Sequence, residues 1–286
     1  MKQELRYKRF TRSKAGNVIA FGGLILAGLF TILPLIYSLV TSFKPLEELM
    51  IFPPRFFVTR PTIQNYTELP NIIASLSVPL SRYIFNSVFV SVFTTFLHII
   101  VASMAAFVLS KGKFRGLNLI FWLVQFSLLF STYTLEIPRY LIYSKIGMVD
   151  TYLIYILPYL PSTMGVFLIK QFMDGSIPDP LIEAAHIDGA NDLQIYWRIV
   201  MPNAKPAWLT LCLFAFRDLW SMQPSGTIFS EELKMLPNVM STISSGGIAR
   251  SGSAMAATVI LMIPPIIVYL ISQSNVMETM SSAGIK

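Results

Sequence analysis

A chain of 286 residues has room for one or two soluble domains, but 54% of this one is hydrophobic and only 13% is charged, against roughly 25% charged in soluble domains. Its formal charge of +7 does not mark a nucleic-acid binder, because the basic residues gather beside apolar runs. One cysteine (Cys212), two distant histidines (His98 and His186) and no CxxC, HExxH or GxxxxGK[ST] string exclude a disulfide framework. They also leave little for a metal site, a catalytic triad or a phosphate loop.

Lys2, Arg6, Lys8, Arg9, Arg12 and Lys14 precede an apolar run from Asn17 to Val40. That run is too long for the apolar core of a signal peptide, about 7–15 residues, and shows no small-residue cleavage site. It reads as a retained first membrane crossing. A helix needs about 20 apolar residues to cross a ~30 Å hydrocarbon core. Six segments qualify or nearly so: Gly16–Thr41, Tyr83–Leu109, Leu117–Ile137, Tyr152–Phe172, Ala207–Trp220 and Ser253–Ile271. The fifth is short, and either begins near Lys205 or runs on to Met222. The expectation is an all-α polytopic membrane protein with about six transmembrane helices and a lipid bilayer as its main partner.

Between the first two crossings, Lys44 to Arg82 holds Pro45, Pro53, Pro54, Pro61, Pro70 and Pro79, which predicts irregular structure. The basic N-terminus and the tight turn Lys111–Arg115 mark the cytoplasmic side. An even number of crossings then puts both termini and the segment Ile177–Pro206 inside. Arg55, Arg60, Arg82, Arg139 and Lys145 fall outside, mostly in longer loops, where the charge rule is weaker. Gln223 to Gly252, with Ser244-Ser245-Gly246-Gly247 and Ser251-Gly252, predicts a mobile outer loop.

Ile177–Pro206 is the longest polar interruption in the second half. It reads as two short helices joined at a glycine. Pro178 and Pro180 suit a helix start, Glu183 follows on the favourable side of the helix dipole, and Gly189 suits a left-handed stop. Asn191 and Asp192 can cap a second helix. In it, Leu193, Tyr196, Trp197 and Val200 recur at helical spacing as one apolar face, and Pro202 is expected to end it.

The string Glu183-Ala184-Ala185, Gly189, Ile199 and Pro202 resembles the EAA loop of ABC importer permeases, with Met201 where that family usually has leucine. TSFKPLEELMIFPPRFFVTRPTIQNYTEL resembles the carbohydrate class of those permeases, and so do FNSVFVSVFTTFLHIIVASMAAFVLSKGKFRG, SKIGMVDTYLIYILPYL and the final SAMAATVILMIPPIIVYLISQSNVMETMSSAGIK. FRDLWSMQPSG departs from the family, which more often shows Trp-Asn there. The resemblance implies a type I importer permease fold, with residues 1–82 as first crossing and outer loop, 83–275 as core permease domain and 276–286 as a cytoplasmic tail. It implies a subunit of the bacterial cytoplasmic (inner) membrane, similar to the smaller maltose-type permease subunit. The implied partners are a second permease subunit, an ABC ATPase dimer and an extracellular solute-binding protein.

By the same resemblance the chain is not an enzyme. ATP and Mg belong to the ATPase, and no cofactor is expected here. The loop residues Glu183, Ala184, Ala185, Asp188, Gly189, Ala190, Ile199 and Pro202 would couple the two. Glu183 would meet a basic residue of the ATPase; otherwise it is a solvated first-turn acid. Ala184 and Ala185 would let the partner approach closely.

Ionisable groups at membrane depth are costly and usually functional. Arg217 and Asp218 are the main cases, with Glu136 at the end of the third crossing. Arg217 and Trp220 are candidates for the substrate path, with Glu136; interfacial contacts and the aromatic belt are the competing roles. His98 is expected to be a packing histidine. A non-sugar ABC permease and an ion-coupled secondary transporter stay as alternatives; the second would need intramembrane relays and inverted repeats, and neither is evident.

Overall fold

A computed structural model describes residues 14–74, 78–130, 132–224 and 226–283. The basic residues Lys2 to Arg12 and the last residues of the tail lie outside the described residues. Among the described residues all regular structure is helical. The chain divides into two bodies, residues 14–67 with Gly246–Val259, and Glu68–Ser245 with residues 260–283.

The first body begins with α1 (Lys14–Ser42). Gly16–Ser42 has a mean hydropathy of 2.4, and its most apolar stretch is not buried, only Thr41 and Ser42 at its end being so. A helix apolar on every face and unpacked within its own chain belongs against lipid or another subunit. The proline-rich segment after it is not irregular throughout. Lys44 and Glu48 are buried. The Lys44 ammonium donates to the Arg55 carbonyl, and Glu48 accepts from the backbone N–H and the hydroxyl of Thr59. Asn65 donates to the carbonyls of Ser42 and Lys44, both at 2.8 Å, and the Ser42 and Tyr66 hydroxyls lie 2.8 Å apart. Gly252 makes room for this: a Cβ there would lie 2.5 Å from the Asn65 amide oxygen. Ser251 and Gly252, expected in a mobile loop, are therefore the first helical residues of a packed segment. Asn65 lies in the first turn of the helix α2 (Gln64–Ala74).

In the second body, α3 (Leu80–Lys111) is 32 residues long with a mean hydropathy of 2.2. Ala102 and Ala106, four residues apart, are fully buried. Small residues at that spacing let helices approach closely in a membrane, and α3 packs here against Val166, Ile169 and Leu211. At its first turns Asn86 donates to the carbonyls of Glu232 and Lys234 at 2.8 and 2.9 Å, while accepting from the Tyr152 hydroxyl at 2.7 Å. The Ser87 hydroxyl accepts from the Leu236 N–H at 2.7 Å.

The expected third crossing, Leu117–Ile137, is not one helix. α4 (Leu117–Ser127) is short; a 3-10 turn at Thr132–Leu135 leads into α5 (Glu136–Lys145), none of whose residues is fully buried. The fourth crossing is a bent pair, Leu153–Tyr159 and α6 (Thr163–Ser176), turning by 40°. Pro158 and Pro161 withhold backbone donors at the break, and the Ser162 hydroxyl caps the second half by accepting from the Gly165 N–H at 2.8 Å. The elbow begins with α7 (Asp179–Ile187). The fifth crossing, α8 (Lys205–Trp220), begins at Lys205 and meets the helix before it at 79°.

The expected outer loop contains α9 (Leu236–Ser244), with Leu236, Val239, Met240 and Ile243 buried. The last helix is α10 (Ser251–Ala283), unbroken through Pro264 and Pro265. Three stretches are long and apolar enough to cross a membrane, Gly16–Ser42, Leu80–Lys111 and Ile248–Gln273. The two bent pairs bring the number to five, and in the expected third crossing there is only the shorter apolar helix α4.

Candidate coupling elbow and membrane cavity

Two sites stand out in the second body. The elbow is built much as its residues dictate. Pro178 is the N-cap of α7, and the chain leaves that helix through Gly189 at a φ of +84°, a left-handed conformation that glycine adopts without cost. Asn191 then forms a reciprocal capping box with Gln194, each side chain accepting from the other's N–H at 2.8 and 3.0 Å. His186 and Asp192 face each other across the turn at 3.5 Å.

The second elbow helix departs from expectation. It changes to a π-helix over Tyr196–Val200, where the Met201 N–H reaches back to the Tyr196 carbonyl. The wider turn carries the chain past Pro202, which continues the helix to Asn203 instead of ending it. It also shifts the faces. Ile195, Tyr196 and Val200 are buried, whereas Leu193 and Trp197 are about half exposed.

Of the predicted coupling residues, Glu183, Ala184, Asp188, Gly189 and Pro202 are exposed. Ala185 is buried, and Ala190 and Ile199 are partly buried against the same core as α3, α6 and α8. The small size of Ala185 therefore serves the chain's own packing, while Ala184 faces outward. Leu181, Ile187, Leu193 and Trp197 add exposed apolar area to the elbow.

The elbow is gripped at three points by α3 and the turn that follows it. The Lys111 ammonium, with its side chain 7% exposed, donates to the buried Ile177 carbonyl at 2.6 Å and to Asp179 at 2.7 Å. Through that hydrogen bond first, and its charge second, Lys111 holds the Asp179 carboxyl below the usual carboxylate range. Lys113 pairs with Glu183 at 3.0 Å, both well exposed. The Tyr196 and Ser103 hydroxyls are 2.7 Å apart in the interior. The basic turn and the elbow thus share one end of the body, as the charge pattern predicts.

The other site is a cavity of about 390 Å³ beside the break in the fourth crossing. His98 of α3, Tyr159 and Ser162 at the break, Phe214 and Asp218 of α8, and Arg139 of α5 are among its lining residues. The Tyr159 hydroxyl points to Asp218 at 3.4 Å, and its ring lies 4.8 Å from the His98 ring. The His98 Nδ1 is 2.8 Å from the Tyr159 carbonyl. A carbonyl only accepts, so Nδ1 carries the proton and Nε2 of the neutral ring is an acceptor.

None of the three predicted path residues lines this cavity. Trp220 is buried; its indole N–H donates to the Leu261 carbonyl at 2.9 Å and its ring stacks on Phe216. Arg217 and Glu136 are exposed. Their neighbours do the lining instead. Leu211, Phe214, Ala215, Asp218 and Met222 recur at helical spacing along one face, a signal that favours Asp218 over Arg217.

Comparison with known proteins agrees with this architecture. The family described as "Binding-protein-dependent transport system inner membrane component" matches residues 57–281. The inner membrane ABC transporter permease protein YcjP of Escherichia coli K12 is 28% identical over 271 residues, covering 92% of this chain and 94% of the relative. The polygalacturonan/rhamnogalacturonan transport system permease protein YtcP of Bacillus subtilis 168 is 28% identical over 291 residues, covering 92% and 96%. A chain in the crystal structure of a bacterial ABC transporter involved in import of the acidic polysaccharide alginate superposes with a TM-score of 0.78 at 23% identity, covering 92% and 98%.

Proposed function

This chain belongs to the family of binding-protein-dependent transport system inner membrane components, and we propose that it is the permease subunit through which an ABC importer takes up a sugar or oligosaccharide. An extracellular binding protein delivers the solute, a separate ATPase dimer supplies the energy, and a second permease subunit completes the path. The chain sits in the bacterial cytoplasmic membrane with both termini inside and six crossings, α4 with the segment after it making the third. The relatives named for polygalacturonan and alginate transport favour a saccharide.

The observation that carries the coupling role is the elbow itself. One face is buried in the body's core, and the elbow also presents Glu183 together with exposed Leu181, Ile187, Leu193 and Trp197. Exposed apolar area with a charge is the composition of a docking surface. Glu183 meets a basic residue of the ATPase there through a charge-assisted hydrogen bond, and Lys113 holds its side chain until then. Closure of the ATPase dimer moves the elbow as a rigid piece, and α3 and α8 carry that motion into the membrane.

The test is a purified assembly in proteoliposomes. Hydrolysis stimulated by loaded binding protein is expected to persist when Glu183→Ala and Gly189→Val are combined, while uptake collapses. Undiminished uptake in the double variant would sink the coupling role.

A further inference from the structure

We propose that the cavity beside the broken fourth crossing is a sugar subsite supplied by this chain, in which Asp218 and the Nε2 of His98 accept hydrogens from the hydroxyl groups of one sugar ring. The inference rests on the reading of the chain as a sugar importer subunit and says where in it the sugar is held.

Four observations lead there. The volume of about 390 Å³ lies within the roughly 300–1,000 Å³ of small-molecule sites. Its position is at a proline-broken span, where freed backbone groups are tolerated in a membrane only if protein or a water-filled cavity surrounds them. His98 is 4% exposed. It lines the cavity and stands about 20 Å along α3 from Lys111 at 1.5 Å per residue. Asp218 is an exposed carboxylate in the last turn of α8, the helix read as the fifth crossing, with no salt-bridge partner among the described residues and the Tyr159 hydroxyl 3.4 Å away. An ionisable group so placed marks a substrate or ion pathway by default.

The chemistry selects a polyol. A carboxylate and an imidazole nitrogen are acceptors, and ring hydroxyls are the donors that match them. Ser162, whose oxygen already accepts from Gly165, keeps its hydroxyl hydrogen to offer in return, and Arg139 adds donors at the edge. Tyr159 and Phe214 supply flat apolar surface for the C–H face of a ring. A coupling ion would need a cluster of ligands instead, and no group of three His, Cys, Asp or Glu that could hold a metal occurs among the described residues.

The experiment uses the complete assembly in proteoliposomes with its binding protein and a defined panel: galacturonate oligomers, arabino-oligosaccharides and gluco-oligosaccharides. Asp218→Asn keeps the shape and removes the charge. Uptake of the transported sugar is expected to fall at least tenfold, about 1.4 kcal/mol at one tenfold step, with binding-protein-stimulated hydrolysis within twofold. Arg217→Gln, outside the cavity, should leave both unchanged. Occupancy is read separately by placing a thiol at the cavity with Met222→Cys in a Cys212→Ala background. The transported sugar should slow its maleimide labelling severalfold, and Asp218→Asn should abolish that protection. Unaltered uptake in Asp218→Asn, or labelling indifferent to sugar, overturns the subsite. Failure of the unaltered assembly to take up any member of the panel overturns the sugar reading itself.

Discussion

Replacing Lys111 with methionine isolates the grip of α3 on the elbow. The ammonium is 7% exposed and donates to two acceptors, the Ile177 carbonyl at 2.6 Å and Asp179 at 2.7 Å. A hydrogen bond from a charged group is worth about 1.5–3 kcal/mol. Asp179 is 74% exposed, so its share is screened to within about 1 kcal/mol. Ile177 is buried, and its carbonyl would lose a donor without gaining water. Methionine keeps most of the stem's packing. The net loss is then about 2 kcal/mol, roughly a 30-fold shift in the opening equilibrium of α7 at 1.4 kcal/mol per tenfold. Amide hydrogen exchange reads it directly: the amides of Asp179–Ile187 should exchange about 30-fold faster in Lys111→Met, while those around Ala102 and Ala106 keep their protection. Lys113→Met is the internal control. That pair is exposed on both sides, 80% and 57%, and exposed pairs contribute about 0–1 kcal/mol, so the change should stay under about fivefold. Equal effects of the two substitutions, or less than a threefold change for Lys111→Met, would refute the burial argument.

Gly189 has open space around it and a φ of +84°, so Gly189→Ala costs only backbone strain, about 1–2 kcal/mol. It should show as faster exchange at the Ala190 amide, and Gly189→Asn should recover part of the protection, since asparagine tolerates that conformation. Gly252→Ala drives a methyl into Asn65 and should release its bonds to Ser42 and Lys44; the readout is faster exchange at the Thr62 amide, now bonded to the Phe43 carbonyl at 2.8 Å. Asp150 accepts from the Ser230 hydroxyl, which chiefly holds its carboxyl below the ordinary range, and from the amides of Ser230 and Phe229. A depressed pKa adds stability that is complete above the unfolded value of about 3.9 and is lost as pH falls through the folded one. Exchange at the Phe229 and Ser230 amides should therefore follow only the intrinsic pH trend from pH 5 to 8, with extra opening confined to pH below about 4; loss of protection near pH 6 would contradict the assignment.

The apolar runs made the helical character and most of the crossings readable from sequence, because burial in lipid demands long apolar helices and little else. The elbow was readable because proline, glycine and capping residues act locally. What escaped had non-local causes. The end of α4 at Ser127 is invisible to hydropathy, which measures composition and not backbone path. Leu193 and Trp197 were placed on the inner face by counting 3.6 residues per turn, and the π-helix at Tyr196–Val200 breaks that count. The proline-rich stretch looked irregular because the partners of Lys44, Glu48 and Asn65 are other backbone segments. Yet Ser42, Lys44, Asn65 and Tyr66, all within the family-like string, are the residues that tie it together. Arg217 drew notice as a charge, while its neighbour Asp218 lies on the face that lines the cavity.

α3 is held at both extremities, by Lys111 on the elbow and by Asn86 and Ser87 on the turn at Glu232–Leu236. From Ser87 to Lys111 the rod between these handholds is about 36 Å long at 1.5 Å per residue, a little more than the ~30 Å of a hydrocarbon core. A stiff rod anchored this way has no slack. If the proposed docking at the elbow holds, a tilt or slide begun there would be carried to the far end of α3, and an optical label on Glu232 would serve as its dial.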